Sequence, residues 1–290
     1  TDGQVDTRHP GLAMLMTVPV NDSDAFYAEG FTTVNAWDVG NAGNDTDYTI
    51  AWGATLRKRT IAGAWSDEGS YGAINFAMQT QNYIYVCPDG ARIRTILKST
   101  GAHADAGVNA NSTNYRWLIA HQGFIYAGKN GTSNIYRDSS ESLANLAGAV
   151  ADDPNVIIMG GDYPTIGAIS FLGKLFVSRQ DGLFHIGDDL IARRMLNFSN
   201  SISSTNFLSM AVFNNKLIFG VRDVLYSWNG STLVDITPPF LSDTFPFTTY
   251  GSFQNFVEAG RFLYFTARTY ESTFEEHIIA YDGVGFHKLA

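Results

Sequence analysis

The chain of 290 residues is 45% hydrophobic and 16% charged, a composition that folds and buries a core. Its formal charge of −9 argues against a nucleic-acid binder that works by neutralising phosphate. The single Cys87 excludes an internal disulfide framework and a cysteine-cluster metal site, and no apolar run nears the roughly 18 residues of a membrane helix.

Residues 1–30 read as an N-terminal extension or closing strand. The apolar stretch Gly11–Val20 follows Arg8 and His9, but Asp2 and Asp6 spoil the basic start of a signal peptide, so a strand through Met14–Val18 is the plainer reading. Residues 1–50 hold eight acidic side chains and one basic, a net of −7, which leaves −2 for the remainder. An acidic rim explains that asymmetry.

From residue 31 onward a short apolar-aromatic run recurs: Tyr83–Val86, Phe124–Ala127, Leu175–Ser178, Leu217–Gly220 and Phe262–Phe265, with first residues 41, 51, 42 and 45 apart. A weaker copy is Tyr48–Ala51. Each is preceded by a strand-like run and followed, past a Gly- or Asp-bearing turn, by another; Thr55–Arg59, Arg92–Ile96 and Val224–Trp228 are examples. Aromatic-X-Gly turns at Trp228–Gly230 and Tyr281–Gly283 lead into fourth runs. Runs of this kind joined by tight turns are antiparallel hairpins.

Four strands in about 42 residues make one blade of a β-propeller. The expectation is an all-β, six-bladed propeller with blades near 31–70, 71–108, 113–150, 163–198, 205–240 and 250–290. A pair of β-sandwiches is the alternative; it explains the strands but not the matching offsets. Leu143, Leu146, Ala147 and Val150 fall at helical intervals after serines able to cap, which predicts one short inserted helix near 140–150. The hairpin between Phe265 and His277 should project a polar tip bearing Arg268, Tyr270, Glu271 and Ser272.

Candidate chemistry is sparse. No zinc-protease, nucleophile-elbow, phosphate-loop or EF-hand motif is present, no cofactor is expected, and no catalytic residue is assigned. His103-Ala104-Asp105 falls on a Gly/Ala/Asn loop, where an exposed loop histidine is the plain reading; a strand there would instead place two titratable side chains on one face as an acid/base pair. Asn44, Asp45 and Asp47 offer oxygen ligands suited to calcium, although a plain Asx-rich turn explains them as well. Asp152-Asp153 and Asp188-Asp189 read as turn residues. The sialidase-type turn, the WD pair and the kelch double glycine do not recur. Arg57, Lys58 and Arg59 on a third strand, Arg92 and Arg94 on the next, and Arg193 and Arg194 on a fourth strand should decorate the periphery. They are candidates for docking an acidic neighbour, together with Tyr270 and Glu271.

The run Thr7-Arg8-His9-Pro10-Gly11-Leu12, the strand Gly30–Trp37, the hairpin Tyr48–Trp52 and Gly53–Lys58, and later stretches such as Asn215–Phe219 and Leu225–Gly230 carry a resemblance. In order and style they resemble the tail-hub or nozzle proteins of short-tailed bacteriophages, also called packaged-DNA-stabilisation proteins. That resemblance implies a non-enzymatic virion component in the tail: a homo-oligomeric ring beside other tail proteins that gives DNA a path without gripping it. An acidic balance suits such a conduit. Family members carry further segments around the propeller, for which this chain has little room; it is expected to be a fragment, a processed product or a smaller relative. The alternative is an extracellular carbohydrate- or receptor-binding propeller that stacks sugars on Trp65, Trp228 and Tyr270. A glycan hydrolase or lyase on the same fold is a third reading.

Overall fold

A computed structural model describes residues 30–35, 47–52, 55–59, 65–71, 74–98, 100–106, 114–144, 146, 155–238, 252–270 and 274–289. Across them run 24 strands in six four-stranded antiparallel sheets, each a simple meander in hydrogen-bonding order. The first comprises β1 (Gly30–Asn35), β2 (Asp47–Trp52), β3 (Thr55–Arg59) and β4 (Trp65–Ser70). The second comprises β5 (Ile74–Gln79), β6 (Tyr83–Pro88), β7 (Arg94–Leu97) and β8 (Ala102–Asp105). The third comprises β9 (Tyr115–His121), β10 (Phe124–Lys129), β11 (Ile135–Asp138) and β12 (Val156–Ile157).

The fourth sheet is β13 (Thr165–Phe171), β14 (Lys174–Arg179), β15 (Gly182–Ile186) and β16 (Ala192–Asn197). The fifth is β17 (Met210–Phe213), β18 (Lys216–Val221), β19 (Val224–Trp228) and β20 (Leu233–Asp235). The sixth is β21 (Ser252–Ala259), β22 (Phe262–Tyr270), β23 (Phe274–Tyr281) and β24 (Phe286–Lys288). Strands β1–β12 belong to one compact unit and β13–β24 to another.

The second strands β6, β10, β14, β18 and β22 are the recurring runs of the sequence, and they are buried. Leu217, Ile218 and Phe219 are all buried although they point to alternating faces, as a strand covered on both sides requires. The fourth strands β8, β16, β20 and β24 are mostly exposed, and β12 runs out into the exposed Ile158. A buried interior grading to an open rim is the packing of a propeller blade.

This packing corrects the expected blade number: the propeller has five blades of four antiparallel strands, not six. The second to sixth sheets display the gradient in their side chains. The first has the same ladder and rests its buried Leu56 against Ile74, Ile84, Val86 and Ile96 of the second. Beyond Leu56, only Asp67 and Gly69 of its strands have described side-chain surroundings.

The helix expected near 140–150 is the second correction. Within its described part, residues 140–144 and 146, the chain makes tight turns: Leu143 N–H donates to Ser140 C=O at 2.9 Å and Leu146 N–H to Leu143 C=O at 3.2 Å. Leu143 has φ +53, outside the right-handed helical region. Both leucines are buried beside Tyr85 and Tyr136, so their spacing reports burial and not helical periodicity. Among the described residues the single helix is a three-residue 3-10 turn at Ser199–Ser201.

The turns explain how neighbouring sheets adhere. Hairpins joining first to second strands have two successive positive-φ residues at Gln122-Gly123, Leu172-Gly173 and Asn214-Asn215, the backbone of a type I′ turn. The turn between third and fourth strands opens on an Asx cap. Asp138 accepts from Ser140 N–H, Asn229 from Ser231 and Thr232 N–H, and Asp282 from Val284 and Gly285 N–H.

The third turns of the third, fifth and sixth sheets then meet the first hairpin of the sheet before. A Cβ at Gly230 would lie 2.9 Å from Leu172 and one at Gly283 2.3 Å from Asn214. Trp228 packs on Phe171 and Tyr281 on Phe213, each with ring centroids 5.9 Å apart. In the other unit, Asn82 donates to the Glu141 carboxylate at 2.8 Å.

At the opposite end of these meanders an asparagine ties sheets together. Asn206 donates to Gln180 C=O (2.7 Å) and Ser201 C=O (2.8 Å) and accepts from Arg222 N–H (2.9 Å). Asn114 plays a related part, accepting from Gly90 N–H at 2.6 Å.

Candidate interaction surface

The rim of the fourth sheet carries the best-described of the predicted contact residues. β16 pairs with β15 through a register shift between Leu183 and Phe184, which sets Arg193 opposite His185 and Arg194 opposite Phe184. Both arginines are engaged. Arg193 forms a two-pronged pair with Asp189, at 2.9 and 2.6 Å. Asp189 also caps Ile191 N–H, and the Arg193 hydrogen bonds hold its carboxyl well below the usual carboxylate range.

Arg194 reaches inward to Asp181, which Arg179 already grips from Nε (2.9 Å) and Nη2 (2.7 Å). Phe184 packs under both guanidinium groups, 4.5 Å from Arg179 and 5.1 Å from Arg194. Burial alone would raise the Asp181 carboxyl. The Arg179 hydrogen bonds and the two guanidinium charges outweigh that, and it titrates below the ordinary value. Two cations and one carboxylate leave a local excess of one positive charge beside a partly exposed Arg194. Nothing in the spacing of Arg179, Asp181 and Phe184 announced this cluster, because a strand bulge brings Arg194 to it.

Around these ion pairs the rim is apolar. Ile191 is 54% exposed and Met195 44%; Val234 on the fifth sheet is 48% exposed and Leu289, just past β24 on the sixth, 56%. Isolated exposed apolar residues are ordinary, but these recur at the fourth strand of three successive sheets. The sequence signal was available in the broken alternation of those strands, and it was missed in favour of the basic residues.

The other candidates are placed as follows. Arg57, Lys58 and Arg59 do lie on a third strand, opposite Asp67, Ser66 and Trp65 of β4, and Asp47 opens β2 opposite Asn35. Tyr270 ends β22 opposite Phe274. The side chains of these five, with all of Asn44, Asp45 and Glu271, lie outside the described residues, as does Asp152-Asp153.

His103 and Asp105 share β8, a strand where a loop was expected. The Tyr71 hydroxyl lies 2.7 Å from His103 Nδ1, while Asp105 pairs with Arg94, so they do not act as a dyad. Trp228, expected as an exposed sugar platform, is 3% exposed and wedged between Phe171 and Phe176. Among the described residues no three His, Cys, Asp or Glu side chains cluster as metal ligands, and no helix is long and apolar enough to cross a membrane.

Sheets of this packing define the chain as a β-propeller. No protein-family model matches it, and no curated protein matches it in sequence. Among solved structures it is similar to a computationally designed protein, Ika8, at 13% identity and TM-score 0.51, over 84% of this chain and 70% of that one. It is also similar to the extracellular domain of a B. thetaiotaomicron protein assigned as a one-component system, at 12% identity and TM-score 0.59, over 90% of this chain and 35% of that one. A second structure of that domain, assigned to a hybrid two-component system, gives 11% identity and TM-score 0.61 over 91% and 39%. The chain thus spans little more than a third of those extracellular domains, and identities this low show the fold alone.

Proposed function

We propose that this propeller is a non-catalytic structural and interaction module, of the kind the tail-hub resemblance implies: a virion tail component that assembles in several copies with other tail proteins around a path for DNA. The observation that carries this reading is the repeated apolar rim of Ile191, Met195, Val234 and Leu289. Large apolar side chains exposed at or beside the fourth strands of successive sheets favour burial against a protein partner. The arginines between them, already paired with Asp181 and Asp189, need no desolvation as free charges when such a partner arrives.

The acidic balance of the chain supports passage of DNA over tight binding. The sugar-binding alternative loses Trp228, whose buried ring is unable to stack on a ligand. Mass photometry of the purified chain tests the proposal. A discrete multimer is expected; a clean monomer that binds a glycan array would overturn it.

A further inference from the structure

Three cations stand at the first hairpins of successive sheets, and all are exposed. Lys174 and Lys216 open β14 and β18 opposite Phe171 and Phe213, whereas Arg261 lies one place earlier, in the turn before Phe262. In an antiparallel meander the first and third turns lie at one end and the second at the other. The contact of Leu172 with Gly230 therefore brings the first hairpin of the fourth sheet to the end that holds both odd turns of the fifth. Asn214 against Gly283 repeats the step to the sixth. The three cations thus share one face of this unit.

None of the three enters an ion pair among the described residues, in contrast to Arg179, Arg193 and Arg194. Of the carboxylates on the same turns, Asp189 is paired with Arg193 and Asp282 is held by its own turn and His287, while the exposed Asp188 acts on His185 together with Lys174. Arg261 lies over the Phe262 ring at 4.9 Å, which steadies its guanidinium without neutralising it.

We infer that Lys174, Lys216 and Arg261 form a row of contacts for the phosphate backbone of a nucleic-acid strand, touched weakly and released easily. A cation repeated once per sheet matches a polymer whose charge is itself periodic, and Gly and Asn turns leave room for a backbone to approach. The net charge of −9 does not forbid this. At physiological ionic strength charges beyond about 8 Å are largely screened, so the strand senses the hairpin tips more than the distant acidic residues. Three contacts are too few for retention and suit sliding. The inference rests on the DNA-path reading for the identity of its ligand, but its test is separate from oligomeric state.

The experiment is fluorescence anisotropy of a labelled DNA duplex of about 30 base pairs, titrated with the full chain from about 50 to about 200 mM salt. Binding is expected to be weak and to fall by roughly 40-fold over that range if all three contacts are made. The triple variant K174Q/K216Q/R261Q should lose about tenfold or more at the lower salt, and its log–log salt slope should flatten by about 2 to 3. The control R222Q/K288Q removes exposed cations from a second turn and an outer strand and should bind like the parent, with circular dichroism confirming that each variant is folded. Absence of duplex binding by the parent, an unchanged triple variant, or equal loss in the control overturns the inference. Capture of a polyglutamate peptide in place of the duplex also overturns it, in favour of an acidic protein partner. A multimer seen by mass photometry alongside any of these failures would leave the assembly reading standing.

Discussion

The junction between the second and third sheets and those among the fourth, fifth and sixth solve one geometric problem with different chemistry. In each, the first hairpin of one sheet is held by the third turn of the next. Among the later sheets the hold is aromatic and tight: Phe171 on Trp228, Phe213 on Tyr281, and a glycine where the hairpin tip presses in. Between the second and third sheets it is polar. Tyr85 donates to Glu141 C=O at 2.7 Å and Asn82 reaches the Glu141 carboxylate; beside this contact, within the second sheet, the buried Lys98 ammonium donates to Gln79 Oε1 and Thr80 C=O at 2.7 and 2.6 Å. Burial lowers the Lys98 pKa, with Glu141 opposing. The backbone arrangement is what repeats, and side chains of either type serve it provided apolar faces are covered and polar atoms are paired.

The aromatic junctions should be the harder to break. Trp228→Ala removes a ring packed on Phe171 and Phe176 and is expected to cost about 3–5 kcal/mol, measured by urea denaturation. A cost equal to that of a polar-junction variant would erase the distinction drawn here. Gly283→Ala acts on the same side of the comparison. Gly283 has φ +98 and its added Cβ would sit against the exposed Asn214 amide. The side chain can swing away while the backbone strain stays, so a loss of about 1–3 kcal/mol is expected, largely unrelieved by adding Asn214→Ala.

On the polar side, Tyr85→Phe deletes the hydroxyl that bonds Glu141 and lies 3.3 Å from Thr80. About 1 kcal/mol should be lost, read from the same denaturation curves. The smallest effect is a pH dependence in the sixth sheet. The N–H groups of Gly285 and Val284 pull the Asp282 pKa down to about 2, below its unfolded value of about 3.9. Its stabilisation is therefore present above pH 4 or so and disappears as pH falls through about 2. Melting temperatures of Asp282→Asn and parent should differ at pH 5 and converge near pH 2; a gap independent of pH would contradict the assignment.

Much of this architecture was legible in the chain because it rests on local rules. A strand such as Leu217–Phe219, apolar on both pleat faces, can only be covered twice, and Asn229 or Asp282 before glycine marks a capped turn. The positions of Arg57–Arg59 on a third strand and Arg193-Arg194 on a fourth followed from the same repeat. What escaped depends on contacts remote in sequence or on the difference between spacing and conformation. Leu143 and Leu146 are buried at a helical interval but reached by tight turns, and a bulge determines that Arg194 meets Asp181. Trp228 read as exposed because its turn is; its ring instead fills the space between Phe171 and Phe176.

Asn206 has a practical corollary. Its side-chain amide spends both donor hydrogens and its oxygen on Gln180, Ser201 and Arg222, so the connector from Ser201 to Asn206 has a required length. An epitope tag or engineered extension placed there would pull the amide from three backbone partners at once, whereas the exposed Val284 turn, 95% open to solvent, offers a site for grafting that leaves such ties alone.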